Sequence, residues 1–143
     1  ILINNKLNSY DLSTIDYIFM RLPFSIYFGW ITIAVIANVT TFLVSINWSG
    51  FGISESLWTI IILLVGLGIT SLTMLNNKDI AYGAVIIWAY LGIFTKHTSE
   101  AGFAGQYPLI IITIIICLAV LFAFVLSLIK TKYFLRNKNR YFV

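Results

Sequence analysis

The chain has 143 residues, of which 60% are hydrophobic and 16% aromatic, while only 10% carry a charge. A soluble domain carries about 25% charged residues, so this composition excludes a chain that dresses a water-facing surface with its own side chains. The net charge of +4 gathers toward the C-terminal end, where it suits membrane topology and contact with anionic lipid, and no nucleic-acid partner is expected.

The placement of charge sets the elements. Residues 22–54, 56–77, 80–95 and 101–129 contain no Asp, Glu, Lys or Arg. A helix needs about 20 mostly apolar residues to cross the hydrocarbon core, and the first, second and fourth stretches exceed that. The third reaches it if Asp79 and Lys96 lie at opposite headgroup layers, with the lysine stem extended so that its ammonium stays wet. The pattern predicts an all-α, polytopic membrane bundle whose four transmembrane helices cover about 22–45, 55–76, 79–96 and 107–130 of the 22–130 region.

In chain order, Ile1-Leu2-Ile3 turns polar at Asn4-Asn5-Lys6, without an initiator Met or a signal-peptide pattern. Residues 1–21 are therefore expected to hold the end of an upstream helix, with at least one more span before it, and then a cytoplasmic interfacial segment. Over 9–20, polar groups alternate with Tyr10, Leu12, Ile15, Ile18 and Phe19, which fits a short helix lying in the interface or a plain connector. Pro23 suits the first turn of the first span. Asn47-Trp48-Ser49-Gly50-Phe51-Gly52 reads as an outer turn. The second span opens near Ser54 or Glu55 and ends at Asn76-Asn77; the third begins at once at Asp79, giving a tight antiparallel hairpin. A polar loop over 96–106 precedes Pro108, which opens the fourth span, and 131–143 form a basic tail.

Small and polar residues recur at helical spacing: Thr59, Gly66, Thr70 and Thr73 in the second span, and Thr113, Cys117 and Ser127 with Ala123 at the edge in the fourth. Such stripes are expected to face the bundle interior, because small residues let helix backbones approach closely in lipid. Cys117, the single cysteine, is expected to be a small packing residue. Eight Lys and Arg residues lie in the N-terminal segment, the Lys78 turn and the tail, against Lys96 alone in the two other loops. By the positive-inside rule both termini and Lys78 are expected in the cytoplasm.

Trp48 and Trp58 fall where an outer interfacial belt belongs. Trp30 lies roughly 10 Å into the membrane from Pro23, so its indole N–H needs an internal partner or a ligand. Trp88, with Ala81, Ala84 and Gly92 on its own face, suits packing of a large ring against small neighbours. Tyr27, Trp30, Ala34, Asn38 and Thr41 share one face of the first helix. An amide such as Asn38 is costly in hydrocarbon, so that face is expected to look into protein or a polar-tolerant pocket, and the side with Ile33, Ile36 and Leu43 to look toward lipid or a loosely packed neighbour.

The segment from Tyr27-Phe28-Gly29-Trp30 through Ala34 to Asn38 resembles the last helix of the TspO/MBR family, the tryptophan-rich sensory proteins also called translocator proteins. The Tyr, Trp, Ala and Asn spacing matches, whereas Ile26 stands where that family has Pro. The run 22–43 is closer still to long members, which carry further helices after this one. The resemblance implies a helical bundle in the bacterial cell membrane, often a homodimer, that binds a flat hydrophobic ligand such as a porphyrin, a haem-like molecule or a sterol. Carried over by position, Tyr27, Trp30, Ala34 and Asn38 would line or brace the pocket. Gly29 matches a pocket-lining position but lies about 100° from Trp30 around the helix.

No catalytic motif stands out. The single His, the absence of His-Glu-x-x-His, of a Gly-x-Ser-x-Gly elbow and of paired intramembrane carboxylates argue against an enzyme. Lys96, His97 and Glu100 are expected to form a solvated loop, since a lone His with one carboxylate makes a poor metal site. The sequence favours a TspO/MBR-like receptor or sensor; a carrier of a small hydrophobic molecule, or a non-catalytic membrane assembly subunit, is the alternative.

Overall fold

The computed structural model describes Ile15 and residues 17–138. A π-helical turn, Tyr17–Arg21, leads into α1 (Leu22–Ser45), followed by α2 (Glu55–Asn77), α3 (Ile80–Thr98) and α4 (Pro108–Lys138). Four helical segments, the first taking in most of the π-helical turn, are long and apolar enough to cross a membrane: Ile18–Ser45, Glu55–Asn77, Ile80–Thr98 and Pro108–Thr131. The described residues contain no strand, so the protein is an all-α integral membrane protein. The expected interfacial helix over 9–20 and the upstream helix end lie mostly outside the described residues, as does 139–143 of the tail.

Local chemistry sets each boundary. Pro23 occupies the first turn of α1, where its missing N–H would have had no helical partner. The Ser54 side chain caps α2 by accepting from Leu57 N at 3.4 Å. At the other end of α2, Lys78 adopts a left-handed conformation (φ 48°) and its N–H bonds to Met74 O at 2.9 Å. Asp79 then caps α3 by accepting from Tyr82 N at 3.2 Å. Two residues thus reverse the chain, as the Asn77-Lys78-Asp79 sequence predicted.

Packing is uneven. α3 makes its most extensive contacts with α4 and α1, α2 rests mainly on α4, and α1 barely meets α2. The core runs from Leu63 and Met74 of α2, across Tyr82, Ile86, Ile87 and Tyr90 of α3, to Ile110, Ile114, Cys117, Leu118 and Leu121 of α4. Glycines permit two of these contacts. A Cβ at Gly66 would fall 2.9 Å from Tyr90 Oη, which donates to Leu63 O at 2.6 Å, and one at Gly83 would fall 2.6 Å from Met74 Cε. The α2 stripe faces inward at Gly66 and Thr70, and Cys117 is buried as expected. Ser127 and Ala123 are exposed instead. On α4 the inward series is Ile110, Ile114, Cys117 and Leu121, so this helix meets its neighbours through van der Waals packing of mostly large side chains rather than through a small-residue stripe.

Candidate functional site

Helix α1 is held by one face, and it is not the face that the polar residues suggested. Its buried residues are Ser25 and Gly29. At Gly29 a Cβ would stand 3.0 Å from Val85 Cβ and 3.3 Å from Tyr82 O, so α1 and α3 touch there almost backbone to backbone. The contact continues outward through Phe28, whose ring lies 5.1 Å from that of Tyr82. Thr32 follows, accepting from Tyr82 Oη at 3.4 Å. Ile33 packs on the core, and the Ile36 side chain reaches to 3.8 Å of the Cβ position at Gly66.

The expectation for the opposite stripe is therefore corrected. Tyr27 is 62% and Trp30 53% exposed, Asn38 is exposed and Ala34 half-buried, while Ile33 and Ile36 turn inward. Helical periodicity identifies two faces but assigns neither to the interior when both are largely apolar. The close approach at Gly29 decides the rotation of α1. A Ser25-x-x-x-Gly29 pair of small residues was the available signal.

Trp30 nevertheless meets a partner. Its ring centroid lies 6.2 Å from that of Trp88, with the planes tilted by 39°, and Trp88 is 64% exposed. Both residues stand eight positions into their helices, about 12 Å along each axis. The two indoles thus form a bridge across the outward seam between α1 and α3. Grooves open on both sides of it. One, of about 640 Å³, runs past Gly92, Ile93 and Thr95 to Lys96. The other, of about 340 Å³, lies among Leu22, Ile26, Ala81, Ala84 and Val85. The small residues expected to cushion Trp88 thus line open space beside it. Neither indole N–H, nor the Asn38 amide, hydrogen-bonds within the described residues.

A second polar group lies at the other end of the seam. Asp79, only 2% exposed, accepts from Ser25 Oγ as well as from Tyr82 N, and Arg21 Nη2 donates to Asn77 O at 3.4 Å. Arg21, Ser25, Asn77 and Asp79 are all buried and pin the start of α1 to the α2–α3 turn. Charge placement along the chain puts Arg21 and Asp79 only at span boundaries. The four-residue spacing of Arg21 and Ser25, which puts them on one helix face, could have joined them to the Asp79 cap.

At the far end of α3, His97 is 8% exposed, with its Nδ1 2.9 Å from Ile93 O and its ring centroid 4.9 Å from that of Phe103. The expectation of a solvated His97 is corrected for that residue, because the 99–105 loop winds back over it. Phe103 N donates to Lys96 O and Gly105 N to His97 O. Lys96 and Glu100 are exposed as expected. Among the described residues, no three His, Cys, Asp or Glu side chains form a potential metal group.

No curated protein and no solved structure matches the chain. A family model described as TSPO-like protein matches residues 1–127, nearly the whole described bundle together with the Tyr27–Asn38 segment, and the chain belongs to this TSPO-like family of membrane proteins.

Proposed function

We propose that this TSPO-like protein is a non-catalytic membrane receptor or sensor, and that its ligand, a flat hydrophobic molecule of the tetrapyrrole kind, lies in the α1–α3 seam against Trp30. The observation that carries the proposal is the Trp30–Trp88 bridge between two unfilled grooves. Paired indoles offer a large stacking face and two free N–H donors in a region where water supplies no acceptor. Ala34 leaves room one turn beyond Trp30, and Asn38 and Tyr27 provide polar contacts on the same outward face. Membership of the family supports the class of ligand.

The basic asymmetry of the loops supports an orientation with both termini and the Lys78 turn in the cytoplasm. The resemblance supports a bacterial cell membrane and a homodimer as the setting.

The test is porphyrin binding to the protein, followed by porphyrin fluorescence anisotropy. Stacking on one ring is worth about 0.5–1.5 kcal/mol beyond burial of area, so Trp30→Leu and Trp88→Leu should each raise Kd by about two- to twelvefold, whereas Trp58→Leu should leave it unchanged. Equal Kd values for wild type and both seam variants would overturn the proposal. Counterflow of labelled porphyrin in liposomes would identify a carrier.

A further inference from the structure

The larger groove has a polarity that the stacking argument does not use. It starts at the two indoles, passes Gly92, whose Cβ position has no atom within 4 Å, and ends at Lys96. Trp88 and Lys96 are eight residues apart on α3, about 12 Å along the axis. Of the residues that line the groove between them, Thr95 alone carries a hydroxyl, and it is already bonded to Leu91 O at 2.9 Å. The wall is apolar along its length and cationic at one end.

That cation is held in place and has no anion of its own. Phe103 N donates to Lys96 O at 3.0 Å, and Lys96 Nζ stands 5.7 Å from the Phe103 ring centroid, a cation–π contact. Gly102 makes the wrap possible, since a Cβ there would fall 1.9 Å from Lys96 O. Among the described residues, no carboxylate lies within ion-pair distance of Lys96.

We propose that the groove selects an amphipathic carboxylate, with its rigid apolar body against Trp30 and Trp88 and its charge on Lys96, at the membrane face opposite the Lys78 turn. This rests on the ligand seam proposed above and names the chemistry of its occupant. A lipid acyl chain fits less well. The groove ends against the indoles about 12 Å below Lys96, short of the roughly 15 Å of one hydrocarbon leaflet, which suits a short rigid body.

The experiment uses pyrenebutyrate and its uncharged methyl ester, with the protein in zwitterionic nanodiscs and energy transfer from tryptophan to pyrene as the signal. Comparing variants for each probe separately cancels partition into lipid. Lys96→Gln should weaken the acid by about fivefold, the effect of one ion pair at a wet rim, and leave the ester unchanged. Lys96→Arg should restore the acid, and Trp88→Leu should weaken both probes. If both probes bind and Lys96→Gln affects neither, the anion preference is wrong and the seam stands. If neither probe binds wild type, the seam fails and the preference with it. If replacing half the lipid by phosphatidylglycerol abolishes the difference between wild type and Lys96→Gln, the cation serves a lipid headgroup and the proposal is overturned.

Discussion

Rotation of α1 decides which residues can meet a ligand, and Gly29 is the place to test it. A Cβ there would lie 3.0 Å from Val85 Cβ and 3.2 Å from Val85 Cγ1, against an optimum of about 3.5–4.0 Å for carbon pairs. Gly29→Ala therefore requires α1 and Val85 to give way by a few tenths of an ångström, which loosens the dispersion contacts along the seam. Overpacking of this kind costs about 1–3 kcal/mol, offset by about 0.4–1 kcal/mol from the reduced freedom of the unfolded chain. The net loss for Ala is about 1 kcal/mol, and Gly29→Leu should reach the upper end of the overpacking range. Cys117 provides the assay, being the only cysteine and fully buried, so its reaction with a thiol-reactive fluorophore during heating in detergent reports loss of the core. Gly68→Ala, with nothing within 4 Å of its Cβ position, is the control and should be neutral or slightly stabilising. Asn38 lies nine residues from Gly29, about half a turn away around the helix, so Asn38→Leu should not lower the midpoint. If Gly29→Leu melts like wild type while Asn38→Leu is destabilised, α1 is turned the other way.

Asp79→Ala removes the α3 cap and leaves Ser25 Oγ and Tyr82 N without their acceptor; it should cost about 1–3 kcal/mol in the same assay, and an unchanged midpoint would show that the cluster holds nothing. For topology, cysteines introduced at Ser49 or Ser99 in a Cys117→Ala background should react with an impermeant maleimide in intact cells, and one at the exposed Asn76 should not. The reverse labelling would invert the proposed orientation.

Hydrocarbon length and charge placement made the four spans legible, because a charge inside a bilayer is penalised whatever the fold. The α2–α3 turn was legible for a local reason: Asp79 stands where a cap is needed, and nothing distant competes. Helix rotation was harder. On α2, Gly66 and Thr70 gave the interior correctly, since Gly66 is where the Tyr90 side chain passes. On α1 the same logic was drawn to Asn38 and Trp30, the most polar stripe, while the interhelical contact was made at Ser25 and Gly29. Burial of His97 depends on the chain doubling back through Gly102 and Gly105, a return that no periodicity encodes.

The two faces of α1 also separate stability from binding. Ser25, Gly29, Thr32 and Ile36 engage the neighbouring helices, so changes there alter folding first. Tyr27, Trp30 and Asn38 are turned out of the bundle, and the amide and indole have no hydrogen-bonding partner within it. In hydrocarbon an unsatisfied amide is destabilising, which makes this face costly to keep unless something covers it. Replacing Asn38 by Leu should then leave the midpoint of the unliganded protein unchanged or higher, and weaken whatever occupies the seam. A stability series and a binding series on α1 should therefore diverge, with Gly29 variants moving the first and Trp30 and Asn38 variants the second. Parallel movement of both series would mean that α1 has no free face.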